Sequence, residues 1–149
     1  MIYNKLPRGK SHKMNVPDIF WYDGDVQLEL VIKQSRAMCW CIMDDDSALA
    51  CAVVYMMRIR KLYNVNRKQI CELFFFATVL AIKNLHDYSM LFSLHFEPFS
   101  ASDETVASFN QKVYLVFRLL KFNANVRQGE VSLQNTTEEI IKEITRVVF

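Results

Sequence analysis

The chain has 149 residues, of which 52% are apolar and 13% aromatic. That is the size of one domain or of one domain with tails, with enough apolar side chains for a core that needs neither disulfides nor metal. The net charge is only +2 and unevenly spread. Residues 1 to 17 hold Lys5, Arg8, Lys10 and Lys13 with no acid, and the remainder holds 14 bases and 16 acids. A strongly basic nucleic-acid surface over the whole body is excluded on that balance.

Glycine is scarce. Gly9, Gly24 and Gly129 are the only three, against an ordinary share of about 7%. Between Asp25 and Gln128 the only breaker is Pro98. A β-rich fold needs many tight turns built on glycine or Asn-Gly, so this chain reads as all-α. Residues 1–23 read as a basic N-terminal arm, a solvated tail with Ile19, Phe20 and Trp21 available to dock on the body. No apolar signal segment opens the chain. After the turn Asp23-Gly24-Asp25, the spacing of Leu28, Val31, Ile32, Met38 and Cys39 predicts a helix from about Val26 to Ile42.

Asp44-Asp45-Asp46 and Ser47 mark the next helix start, because acids suit the positive end of a helix dipole. Ala48, Ala52, Tyr55, Met56 and Ile59 give that helix one broad apolar face, and Arg58, Arg60 and Lys61 suit its end. Asn66 is a good cap for a third helix, from about Arg67 to Leu85. Leu73 to Ile82 is an uncharged run closed by Lys83. It is too short to span a bilayer, which takes about 20 residues, so it reads as a central helix covered on several sides. A short helix is expected at about Ser89 to His95, before Pro98. Ser102, Asp103 and Glu104 then open a fifth helix whose apolar positions are Val106, Phe109, Val113, Val116, Phe117 and Leu120. A linker follows, and Thr136 to Glu139 caps a final amphipathic helix.

Catalytic chemistry is thinly represented. There is no glycine-rich phosphate loop, and His86 and His95 have no serine or cysteine elbow beside them. Cys39, Cys41, Cys51 and Cys71 lack a second pair at zinc-ligand spacing and read as reduced core thiols of an intracellular protein. Neither a cofactor nor a small-molecule substrate nor a membrane is implied. The expectation is an interaction protein rather than an enzyme.

The helix order resembles the cyclin box, most closely the phosphate-signalling and cyclin Y type, over roughly Val26 to Val126. The second helix carries "AVVYMMRI" at Ala52–Ile59, where the family reads like "ALIYIERL". The third ends "VLAIKNLHDY" at Val79–Tyr88, where the family has a pattern like "LLASKxxDD". The fifth carries "NQKVYLVFRLLKFNANV" at Asn110–Val126, similar to "NxLExxFLxLLxFxxxV". The resemblance implies a single cyclin-box-like five-helix bundle over residues 24–126. A linker and C-terminal amphipathic helix would follow over 127–149.

The implied function is that of a non-catalytic regulatory subunit whose partner is a cyclin-dependent kinase catalytic subunit. By the resemblance, Lys83 hydrogen-bonds the kinase near its regulatory helix, with apolar contacts from Phe76, Leu80, Leu85, Tyr114 and Phe117. The family's glutamate on the fifth helix falls on Val113, which cannot make a charge-assisted bond. Gln111 and Tyr114 are near enough in sequence to substitute in part, and Ile82 stands where the family has serine. Two other classes compete: a helical adaptor of the viral apoptosis-regulator kind, gripping an amphipathic partner helix, and a nucleic-acid module using the basic arm.

Overall fold

The computed structural model describes residues 13–17, 28–41, 47–86, 106–127 and 142. Four helices dominate them: α1 (Leu28–Cys41), α2 (Ser47–Leu62), α3 (Arg67–His86) and α4 (Val106–Leu119). Two short strands, β1 (Met14–Asn15) and β2 (Tyr63–Asn64), pair in parallel. The helices expected near Ser89–His95 and after Thr136, the acidic cap at Asp44–Asp46, and Ile19 to Trp21 lie outside the described residues, although Lys142 is helical.

The bundle is arranged around α3, which packs against α1, α2 and α4. Its composition demands that position: every residue from Glu72 to Ile82 is buried. A helix apolar on all sides is stable only when neighbours cover it all round. Phe74, Phe75 and Phe76 are fully enclosed, each contributing roughly 2–3 kcal/mol of transfer free energy. The polar Thr78 is tolerated there because its hydroxyl donates to the Phe74 carbonyl one turn back (3.1 Å). Residues Ala48, Ala52, Tyr55, Met56 and Ile59 of α2 are buried at helical spacing, and their small members let α2 approach α3 closely.

The start of α3 doubles as an anchor for the N-terminal segment. Asn66 stands at the N-cap, and its backbone N–H donates to Gln69 Oε1 (2.9 Å), one half of a capping box. The same amide, through Nε2, donates to the carbonyls of Val16 (2.8 Å) and Pro17 (3.2 Å). Within the expected arm, then, Lys13–Pro17 is built into the body. Val16 is a core residue, its N–H donates to the Asn64 carbonyl (3.2 Å), and Lys13 Nζ donates to the Arg60 carbonyl at the end of α2 (3.2 Å).

At its other end, α4 closes in a Schellman turn without glycine. Lys121 N–H donates to the Arg118 carbonyl and Phe122 N–H to the Phe117 carbonyl, both at 2.9 Å. Lys121 and Phe122 have φ of 56° and 61°, the left-handed region. Such a residue with a Cβ costs about 1–2 kcal/mol. The apolar contact that accompanies this turn type is the Phe117–Phe122 ring pair, 5.3 Å apart and nearly perpendicular. Side chains from two other helices hold the turn: Arg58 Nη1 donates to the Asn123 carbonyl (3.1 Å), and Tyr55 Oη (2.6 Å) and Asn84 Nδ2 (3.3 Å) both donate to the Ala124 carbonyl. Burial, above all, raises the Tyr55 phenol's pKa and keeps it a neutral donor.

Replacing Lys121 by glycine removes one strained φ. It also removes the Lys121 ammonium from the Tyr63 ring, 5.5 Å away, a contact of about 0.5–1 kcal/mol. The balance predicts that Lys121→Gly raises the free energy of unfolding by about 0.5–1 kcal/mol. Urea unfolding with an unchanged slope checks it; a lower midpoint would show that the ring contact outweighs the strain.

Candidate functional site

Glu72, Phe76, Leu80 and Lys83 recur along α3 at steps of four, four and three, which places them on one stripe of the helix. Most of that stripe is occupied by α4. Phe76 meets Phe109 edge-on with centroids 5.2 Å apart. Phe76 and Leu80 of α3 and Val113 of α4 are buried, Val113 with 6% exposure. These three residues, expected to line a groove for a partner, lie in the packing of the bundle and offer no surface. The physical reason is composition: two strongly apolar helices close on each other before a third partner can enter.

The other four candidates are exposed or partly exposed. Lys83 is half-buried in the last turn of α3, where the carbonyl end of the helix favours a cation. Its ammonium makes no hydrogen bond or ion pair with any described residue. Leu85, two residues on, is 44% exposed. Tyr114 is 53% exposed on α4, Phe117 is half-buried with part of its ring packed against the core, and Gln111 is exposed one turn before Tyr114. The hydrogen bond from Asn84 to the Ala124 carbonyl ties the end of α3 to the turn after α4. Lys83 and Leu85 flank Asn84 in sequence, so both helices' candidates border one end of the bundle.

A different cation is tied internally. Lys112 Nζ forms an ion pair with Glu72 Oε1, their side chains only 13% and 5% exposed. The ammonium also stands 5.5 Å from the Phe76 ring centroid. This pair links α3 to α4. It joins residues 40 apart, and no short-range signal points to it; the nearest hint is a carboxylate at the edge of an apolar run, which needs a partner once buried. It also settles the local environment of Val113: the residue beside Lys112 is core, and the only carboxylates among the described residues are Glu72 and Glu29.

Cys39 and Cys51 are buried and Cys71 half-buried, none of them in a disulfide. Burial pushes the Cys71 thiol up to about 11, so it stays protonated and unreactive at neutral pH. Among the described residues there is no group of His, Cys, Asp and Glu that could hold a metal ion. None of the described helices is long and apolar enough to cross a membrane. No protein family, curated protein or solved structure matches this chain.

Proposed function

We propose that this chain is a cyclin-like, non-catalytic regulatory subunit that binds a cyclin-dependent kinase catalytic subunit. In this reading α1, α2, α3 and α4 correspond to the first, second, third and fifth helices of a five-helix cyclin box. The observation that carries it is Lys83: a half-exposed cation, unpaired among the described residues, at the carbonyl end of the central helix. Such a side chain can lie along apolar surface and present its ammonium to backbone carbonyls of a partner.

The contact surface in this reading is Lys83 and Leu85 at the end of α3, with Tyr114 and Phe117 on α4. The buried Phe76, Leu80 and Val113 support those helices from beneath. The regulatory effect follows from selective binding: contacts made only when the kinase's regulatory helix is turned inward shift the kinase toward that state.

The test is a pull-down of purified kinase catalytic subunit on the immobilised chain. Lys83→Ala is expected to weaken recovery about five- to thirtyfold, the loss of one charge-assisted contact of about 1–2 kcal/mol. Because Lys83 supports nothing within the described body, the variant's circular dichroism and unfolding midpoint are expected to stay at the native values. Equal recovery of kinase on both proteins would contradict the reading.

A further inference from the structure

The turn after α4 gathers aromatic rings and positive charge in one place. Tyr114 and Phe122 are 53% and 54% exposed, and Phe117 beside them is half-buried. Phe122 sits 5.3 Å from Phe117 and 6.1 Å from Tyr114, ring centre to ring centre. Arg118 and Lys121 are exposed in the same turn, and no acid occurs anywhere from Val106 to Arg127. Isolated exposed apolar residues are ordinary, but three touching aromatic rings form a patch.

The backbone makes the patch harder to dismiss. Phe122, a bulky residue, is held at φ 61°, where only glycine is comfortable. Its contact with Phe117 satisfies the helix ending and occupies one edge of the ring, yet half of the side chain remains in water. Strain of this kind persists only where surrounding structure enforces it, and it concentrates at sites that bind. The enforcing groups are Arg58, Tyr55 and Asn84, which fix the carbonyls of Asn123 and Ala124. A turn fixed this way loses little freedom on binding.

We infer that the turn from Tyr114 to Phe122 docks an acidic protein segment that carries an apolar anchor residue. The anchor packs on Phe117 and Phe122, and its neighbouring carboxylates meet the exposed Arg118 and Lys121. Charge decides against a second copy of this chain, since two such faces would set Arg118 and Lys121 against their own counterparts. Ring geometry decides against single-stranded nucleic acid. Phe122 is inclined 82° to Phe117 and 50° to Tyr114, so the rings offer no run of parallel faces on which successive bases stack. The site shares Tyr114 and Phe117 with the proposed kinase surface but is centred on Phe122 and does not use Lys83, so loss of peptide binding in Phe122→Gly with Lys83→Ala unaffected separates it from the kinase reading.

The experiment selects ligands from a phage library of random peptides on the full chain. Selected peptides are expected to carry several acids around an aromatic or aliphatic residue. They are expected to bind Phe122→Gly and Arg118→Glu at least about tenfold more weakly, while Lys83→Ala binds them as the native chain does. Phe122→Gly is the informative variant, because it removes the ring and relieves φ together, and an unfolding midpoint at or above the native value is the expected check that the fold is kept. Selected peptides without acids, or peptides that bind Phe122→Gly as well as the native chain, would overturn the inference. So would a single-stranded oligonucleotide that binds more tightly than any selected peptide.

Discussion

Glu72→Ala is expected to destabilise the fold by about 3–5 kcal/mol, because it breaks a largely enclosed ion pair between α3 and α4 and leaves Lys112 without the Glu72 carboxylate. The size of the effect comes from burial rather than from the strength of the pair. At 13% and 5% side-chain exposure, neither Lys112 nor Glu72 can turn to water without opening the α3–α4 contact. The approach of the ammonium to the Phe76 ring is too weak to replace a carboxylate. Removing both charges is a different experiment. Glu72→Leu with Lys112→Met fills the same space with apolar atoms and removes both charges of the pair, so it is expected to be within about 1 kcal/mol of the native chain or more stable. Urea unfolding of the single and double variants measures both. A double variant as unstable as Glu72→Ala would mean that the pair contributes geometry that packing cannot replace.

The second large effect is at Gln69. One side chain caps α3 through Asn66 and holds the carbonyls of Val16 and Pro17. Gln69→Ala removes all three hydrogen bonds inside a buried region and is expected to cost about 2–3 kcal/mol. Gln69→Glu separates the two tasks. A carboxylate can still accept from the Asn66 N–H, and it suits the positive start of a helix. It has no proton to give the two carbonyls and repels them. The amide of Val16, bonded to the Asn64 carbonyl, is therefore expected to lose most of its hydrogen-exchange protection in Gln69→Glu, while the amides within α3 keep theirs. Protection of Val16 equal to that in the native chain would show that β1 is held by its own burial and not by Gln69.

Much of the helical architecture is legible in the residues themselves. The spacing of Ala48, Ala52, Tyr55, Met56 and Ile59 defines α2, and the uncharged run from Leu73 to Ile82 requires a helix covered on all sides. Asn66 marks where α3 begins. These signals are local: each needs only residues within a few turns. What local pattern does not carry is pairing at long range. Glu72 meets Lys112 and Gln69 meets Val16 across gaps of 40 and 53 residues, and nothing near any of them names its partner. The turn after α4 is hidden for another reason. A left-handed cap is announced by glycine, and here Lys121 and Phe122 occupy it with full side chains.

The candidate site divides along the same line. Apolar periodicity places Val113 and Phe117 on an apolar helix face, and the resemblance adds Phe76, Leu80 and Tyr114, but neither distinguishes a face turned to the core from one turned to a partner. The packing of α3 on α4 makes the distinction, taking Phe76, Leu80 and Val113 inward and leaving Tyr114 outside. Lys83 is the exception: its place after an apolar run is visible in the sequence, and its lack of a described partner is what gives that place meaning.

Hydrogen exchange on the full chain, with and without a purified cyclin-dependent kinase catalytic subunit, tests most directly the claim that this end of the bundle is the kinase-binding surface. The account predicts slower exchange in the complex at the last turn of α3, around Lys83 and Leu85, and along α4 from Val113 to Phe117, with α1 unchanged. Exchange unaltered at both places at a kinase concentration that saturates binding, or slowed only over residues 1 to 17, would contradict it.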